Sequence, residues 1–400
     1  MAGTGKEQKV QVDLWGLPGT APWETGSENE PRLLFFSGGT ALKDTAHELT
    51  FRTGNCVHLI TPFDSGGSSA ALRKAFNMPA VGDLRARIMA LADTRHPGNP
   101  EIYTLFAYRL PEDAPAAFLR NELKSLLDGS HPLMAQIPSP MQGIIREHLT
   151  IFVEVMPADF SLAGANIGNL VLTAGYLMHE EKLGQVAAQY SHMLHVRGTV
   201  RTVVDVSAHL AVRLASGQVI VGQHRFTGKF GKVIDSAIQD IWLTASEGSP
   251  EPVSVAIDRR VEALVGSADA ICYPVGSFYS SVAANLLPAG VGRAVAANSG
   301  PKIFVPNLGL DPELKGHTLA MQVERLIAML CRDAPGAKPA DVLSVVLVDE
   351  ERGVYPGGLP KEMLRGLGIT LVSMPLVREG KGPLADSRLL AEGLMRVAGF

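Results

Sequence analysis

The chain has 400 residues, 46% hydrophobic and 19% charged, so it can bury a large core and lacks the makeup of a disordered chain. Its formal net charge of −4 offers no global basic field to a nucleic-acid backbone, so no nucleic-acid partner is expected. Glycine (41 residues) and proline (26 residues) recur along the whole length, which excludes a bundle of long helices and suits short elements joined by tight turns.

The opening stretch, MAGTGKEQKVQVD, has lysines with no apolar run behind them. No signal peptide is expected, and three scattered cysteines (Cys56, Cys272, Cys331) fit reduced thiols in the cytoplasm. Residues 1–31 lack sustained periodicity and are read as an N-terminal extension to a single α/β domain over 32–400.

From Pro31 onward the pattern is a repeated strand, loop and helix. Arg32–Phe36 is a short apolar run, followed by Ser37-Gly-Gly-Thr40 and a helical stretch to about Phe51. Val57–Thr61, the loop Asp64–Ser69 and a helix over Ala70–Phe76 repeat that order. Helical stretches follow at Ala116–Leu127, Ile167–Met178 and Gly184–Leu194. Between about Val200 and Thr227 the texture changes. Ser207–Leu214 alternates, Ala-Ser-Gly217 turns and Gln218–Gln223 returns, which predicts a small antiparallel β-hairpin insertion.

Ala270–Val275, Ile303–Val305, Val342–Val348 and Ile369–Ser373 are further apolar runs, with a helical stretch at Leu319–Cys331. Runs without alternation are characteristic of strands buried on both faces. Strands alternating with helices predict a Rossmann-like, mostly parallel sheet with helices on both faces. The stretch Ala270–Gly292 carries no charge and is long enough to span a bilayer. Its prolines, glycines and serines would leave backbone groups unpaired in lipid, so it reads as a buried strand, a loop and a helix around Val282–Leu287.

Three strand-to-helix turns are rich in small residues: Ser37–Thr40, Asp64–Ser69 and Gly276–Ser281. Turns of this kind fall at the carboxyl edge of a parallel sheet, where glycine lets the backbone approach a phosphate. Taken alone, glycine in such a turn is more often only a turn. The dinucleotide fingerprint and the GxxxxGK[ST] loop are both missing, which disfavours a nicotinamide-dependent oxidoreductase. Asp64 is placed to hold Mg²⁺ or activate a hydroxyl beside a diphosphate, and its spacing also suits a turn aspartate. Arg73 and Arg85 follow it and could neutralise phosphate charge or form surface ion pairs. His192 and His195 share a helical face without a third ligand, His179-Glu-Glu181 is not HExxH, and no GxSxG elbow occurs.

Six segments, in order, resemble the CofD/YvcK superfamily of 2-phospho-L-lactate transferases and gluconeogenesis factors. Phe36-Ser-Gly-Gly-Thr-Ala-Leu42 is similar to its GGGTGL turn, and Asp64-Ser-Gly-Gly-Ser-Ser-Ala-Ala-Leu-Arg73 to its DDGGSSGRLR. Met78–Arg85 with Ala90–Asp93 resembles LPPGDIRNCLVALAD, and Leu105–Arg109 resembles LFQYR. Gly164–Leu170 is similar to GHSVGNL, and Val275–Ser281 with Asn285–Leu287 to GPGSLYTSIIPNLL. The variant motifs are most like a CofD-like branch whose companion is an ATP-grasp-type kinase.

The resemblance implies a homodimer that binds a nucleoside-diphosphate-linked small molecule, with Mg²⁺ as cofactor. It implies transfer from such a donor to a hydroxyl, releasing a nucleoside monophosphate, or alternatively a regulator that binds a nucleotide sugar without catalysis. By position, Asp64 would be the metal or hydroxyl partner, with Arg73 and Arg85 beside it. Gly38, Gly39, Thr40, Gly66, Gly67, Ser68, Ser69, Gly276, Ser277 and Tyr279 would cradle phosphate, and Asn169 and Asn307 would line the nucleotide site. Two departures stand out. The family's paired Asp-Asp is Asp64-Ser65 here, which removes a ligand or base, and its GGTG turn is Gly38-Gly-Thr-Ala41, which crowds the approach to ligand.

Overall fold

A computed structural model describes residues 30–228, 234–380 and 382–400. The extension read at 1–31 lies outside the described residues except for Glu30 and Pro31.

The main sheet has seven strands: β1 (Leu33–Ser37), β2 (Val57–Ile60), β3 (Thr199–Thr202), β7 (Ala270–Tyr273), β8 (Lys302–Phe304), β9 (Val345–Val348) and β10 (Thr370–Ser373). The other three strands, β4 (His209–Leu214), β5 (Val219–Val221) and β6 (Ile238–Thr244), form a separate antiparallel sheet. In the main sheet the order is β10-β9-β8-β7-β1-β2-β3, and every neighbouring pair is parallel. The chain therefore starts in the middle of the sheet, builds to one side through β2 and β3, and returns to the other side of β1 with β7. That reversal creates a crevice beyond the carboxyl ends of β1 and β7, where open α/β sheets bind ligands.

The absence of alternation in the strands follows from burial on both faces. β1 sends Leu34 and Phe36 into one core, shared with Leu59, Ile271 and Tyr273. It sends Leu33 and Phe35 to the opposite core, with Cys272, Ile303 and the C-terminal helix Ser387–Ala398. A third core joins the helices Gly82–Leu91, Ile167–Met178 and Leu183–Met193 beside β2 and β3. Each fully buried Phe or Leu on β1 contributes about 2 kcal/mol of transfer free energy.

Three expectations are revised by the structure. Thr199–Thr202 is the parallel edge strand of the main sheet, paired Val57↔Thr199, so the insertion begins after it. The sequence TVRT hides this because its polar residues suit an edge with one partner strand. The insertion is three-stranded: the hairpin β4–β5, turning at Gly217 with φ +86°, gains β6 on the far side of β4. Its inner face (Leu210, Val212, Ile241, Leu243) shares a core with the main sheet. Finally, Val342–Val348 is not one strand. Pro339–Val342 forms a helical turn, closed by the Lys338 N–H donating to Asp341 at 2.7 Å, and only Val345–Val348 is extended.

The charge-free stretch Ala270–Gly292 contains β7, a turn, a single π-helical turn at Phe278–Ala283, the short helix Ala284–Leu286 and the start of the helix Val291–Ala297. Among the described residues no helix is long and apolar enough to cross a membrane.

Candidate active site at the topological switch

A cleft opens over the carboxyl ends of β1, β2 and β7. It is lined by Ser37–Leu42, Thr61, Asp64, Asp83, Gln223, Val275–Ser277, Ser280 and Ser281. All three turns anticipated from the sequence contribute to it or flank it.

The first turn follows β1. The Gly38 and Gly39 positions have no room for a side chain: a Cβ on Gly38 would lie 2.5 Å from Ser281 Oγ, and one on Gly39 would lie 2.8 Å from Asp83 Cγ. Arg87, wholly buried beneath this turn, donates to the carbonyls of Gly38 (2.9 Å) and Leu42 (3.1 Å). Burial pushes its guanidinium down to about 10, so it keeps its charge at neutral pH; Asp83, one helical turn earlier, opposes the shift. With its carbonyls held from below, the turn presents five consecutive N–H groups, Gly38 to Leu42, that find no acceptor among the described residues. Gly38, Gly39 and Leu42 are buried and Thr40 and Ala41 exposed, and a run of N–H groups of this kind is the makeup of an anion-binding turn.

The second turn follows β2. Asp64 Oδ1 accepts the Gly66 N–H at 3.2 Å, closing a turn that Gly67 continues with φ +53°. The helix Gly67–Phe76 begins without a side-chain cap, and the N–H groups of Gly67, Ser68 and Ser69 have no acceptor among the described residues. Asp64 and Asp83 both face the cleft. Two carboxylates beside N–H groups of this kind would need a cation between them and any phosphate bound there. Mg²⁺ is held this way, by one or two carboxylates and substrate oxygens, and no protein-only cluster of three or more metal ligands occurs among the described residues. The residues present fit such an ion.

The third turn differs from expectation. Its N–H groups are already taken from inside the protein. Asn307 Oδ1 accepts from Gly276 (2.8 Å), Asp311 from Phe278 (2.8 Å), and Glu313 Oε2 from Tyr279 (3.0 Å) and Ser280 (2.8 Å). Glu313 is fully buried, and Ser280 Oγ also donates to it at 2.5 Å. Burial, then the neighbouring Asp311, pushes the Glu313 carboxyl up to about 7. This wall therefore offers the hydroxyls of Ser277 and Ser281 to the cleft and no row of free N–H donors.

Several residues singled out from the sequence are placed away from the cleft. Tyr279 is buried in the core, its hydroxyl donating to the Ile238 carbonyl (3.1 Å) and 2.8 Å from His317 Nε2. That position corrects its assignment to a phosphate cradle. Arg73 is buried, with four hydrogen bonds to the carbonyls of Met78, Phe63, Asp64 and Ala208. It clamps the second turn from behind and does not reach toward phosphate in the cleft. Arg85 donates to Asn169 Oδ1 (2.8 Å) and the Phe106 carbonyl, while Asn169 Nδ2 donates to Ser68 Oγ (3.0 Å). Ser69 packs on Gly82, so Ser68, Ser69, Asn169 and Arg85 brace the second turn as a connected unit. Asn307 clamps Gly276 from outside the cleft.

Four residues that the motifs left without a role complete the arrangement. Asp83 and Arg87 lie one turn apart on the helix Gly82–Leu91. Asn285 donates to the Ser37 and Ser281 carbonyls, tying the first turn to the third. Gln223 enters the cleft from the insertion. The GD pair Gly82-Asp83 was visible as part of a motif; the buried arginine has no local signature.

A parallel sheet with helices on both faces, with an N–H array and two carboxylates at its switch point, defines an α/β protein of the Rossmann-like class. Residues 33–358 match the family described as 2-phospho-L-lactate transferase CofD, and the chain belongs to that family. It is 24% identical over 303 residues to the gluconeogenesis factor of Bacillus subtilis, an alignment covering 74% of each chain. It is also 26% identical over 299 residues to a putative gluconeogenesis factor of Nostoc sp., covering 74% of this chain and about half (52%) of that longer protein. A crystal structure of a UPF0052 family protein from Bacillus halodurans superposes with a TM-score of 0.68 at 20% identity, covering 92% of this chain and 100% of the other. That likeness supports the Rossmann-like fold.

Proposed function

We propose that the protein is a Mg²⁺-dependent transferase that acts on a nucleoside-diphosphate-linked donor and releases a nucleoside monophosphate. The observation that carries this reading is the run of N–H groups from Gly38 to Leu42, held open by Arg87 and facing Asp64 and Asp83. The family description supports a transferase.

In this reading the first turn binds the diphosphate through its N–H groups, with Ser277 and Ser281 adding hydroxyls from the third wall. Mg²⁺, held by Asp64 and Asp83, would neutralise charge that builds up on the phosphate oxygens. Arg87 acts through the Gly38 carbonyl, fixing the turn and placing a buried positive charge behind it. Most of the rate enhancement would come from positioning and charge neutralisation, as in other phosphoryl transfers.

The gluconeogenesis-factor names of the relatives favour a second reading, in which the same cleft binds a nucleotide sugar and reports its presence to a partner. Mass spectrometry of ligands retained through native purification identifies the base and the attached group. Mg²⁺-dependent release of a nucleoside monophosphate from that ligand supports the transferase. Saturable binding with no product supports the sensor.

A further inference from the structure

Among the described residues β3 pairs with β2 alone, which leaves its other edge without a partner strand. A cavity of about 190 Å³ runs along that edge, lined by the consecutive residues Val196–Arg201 and by side chains of the helices Leu183–Met193 and Arg259–Gly266. It shares no lining residue with the cleft, which lies over the carboxyl ends of β1, β2 and β7. His192 and His195, paired in the sequence without a third ligand, are exposed at this cavity, and no cluster of three or more metal ligands occurs among the described residues.

The charge of the cavity is one-sided. Arg197, Arg201 and Arg260 line it, with no aspartate or glutamate among the lining residues, in a chain whose formal net charge is −4. Asp258 pairs with Arg201 Nη2, and Asp205 lies 3.9 Å from the same atom. The Arg201 side chain is only 12% exposed, yet its Nε has no hydrogen-bond partner among the described residues. Ser191 Oγ is likewise buried and unpartnered. Arg197 feels the charge of Asp93, but that carboxylate is held by Arg95 through two contacts of 2.9 Å. Burial, then the charge of Arg201, holds the Arg260 guanidinium below its ordinary value. A Cβ on Gly184 would lie 2.9 Å from both Cζ and Nη1 of Arg201, so glycine there leaves room for the guanidinium beside the helix. Buried donors without acceptors, set among arginines that repel one another, call for an anion.

The other lining residues limit what that anion carries. Ala188, Val196, Val200 and Leu264 supply apolar surface. An apolar cavity of about 150 Å³ admits benzene, so this space takes a phosphate with a few carbons and has no room for a nucleotide. We propose that the cavity along β3 is a second anion site, which binds a phosphate monoester with a short, mainly apolar carbon body. Arg197 and Arg260 take the phosphate oxygens in charge-assisted hydrogen bonds, and Arg201 adds its charge from the wall. The bound oxygens supply the acceptor that Arg201 Nε and Ser191 lack inside the protein. The carbon body lies against Ala188, Val196, Val200 and Leu264. The site is independent of what the cleft binds or catalyses.

Calorimetric titration of the full chain with butyl phosphate and isopentenyl phosphate tests this, with inorganic phosphate and pentanoate as comparisons. At least one of the two esters is expected to bind saturably, one per chain, at least fivefold tighter than inorganic phosphate or pentanoate. Arg197→Gln is expected to lower its affinity at least tenfold. Arg260→Gln, at an exposed position, should do the same and serves if Arg197→Gln does not fold. Asp64→Asn should leave ester affinity within twofold, since that residue belongs to the cleft. The proposal is overturned if neither ester binds, if inorganic phosphate or pentanoate binds as tightly, or if ester binding ignores both arginine substitutions. Ester binding lost in Asp64→Asn places the phosphate in the cleft and overturns it equally. None of these outcomes bears on nucleotide binding, so the site fails or stands apart from the transferase reading.

Discussion

Asn307 closes a two-way clamp on Gly276: its Oδ1 accepts the glycine N–H and its Nδ2 donates to the glycine carbonyl, both at 2.8 Å. Gly276 has φ +143°, a conformation that residues with a side chain rarely adopt, and the clamp holds it at the edge of the cleft. Asn307→Leu strands both backbone groups in a half-buried site. The expected cost is about 2 kcal/mol in urea-induced unfolding, with at least a tenfold loss of nucleotide affinity. An affinity unchanged in this variant would show that the third turn does not shape the site.

Glu313 makes stability depend on pH. Its carboxyl is pushed up to about 7 by burial and by Asp311, above the ordinary glutamate value that it has in the unfolded chain. The folded state therefore binds the proton more tightly. This contribution is fully present below the unfolded value and is lost as pH rises through about 7. Burial favours the neutral forms of Tyr279 and His317, whose hydroxyl and Nε2 lie 2.8 Å apart. Wild type should lose stability between pH 5 and 7 relative to Glu313→Gln, measured as the difference in chemical-unfolding midpoints across that range.

Arg87 supports the first turn from below and is the largest fully buried side chain among the described residues. Arg87→Met fills similar space but leaves the Gly38 and Leu42 carbonyls without their donor. Destabilisation of about 3 kcal/mol is expected, with weaker nucleotide binding than that loss of stability alone produces at 10 °C, where the variant is folded.

The parts of the fold and the site that were legible in the sequence share one cause: they are local. Unalternating runs such as Leu33–Ser37 and glycine turns such as Gly38-Gly39 announce themselves within a few residues. The missed features depend on partners far along the chain. Glu313 fills the N–H groups of a turn 33 residues before it, as with its 2.8 Å contact to Ser280, so the third turn resembled an anion cradle until its occupant was seen. Tyr279 looked like part of that turn, yet its contacts with Ile238 and His317 hold it in the core. β3 went unnoticed as a parallel strand because its one partner, β2, is remote in sequence and its edge position tolerates arginine.

Gly39→Ala tests the closeness of the first turn. A Cβ there would lie 2.8 Å from Asp83 Cγ and 3.2 Å from its Cα, so the turn or the Asp83 helix must move. Overpacking of this kind costs about 1–3 kcal/mol. Mg²⁺-dependent nucleotide affinity, read by calorimetry, should fall at least tenfold, more than in Thr40→Ala, whose side chain is exposed at the same turn.

In the transferase reading the first turn and Asp64 together bind a diphosphate with a metal ion. Calorimetric titration of the wild-type protein with ADP, GDP, UDP and CDP, each with and without Mg²⁺, tests it most directly. At least one of the four is predicted to bind saturably, one per chain, with affinity that drops at least tenfold when Mg²⁺ is withdrawn or Asp64 is changed to Asn. No binding by any of them, or binding indifferent to both Mg²⁺ and Asp64, would contradict it.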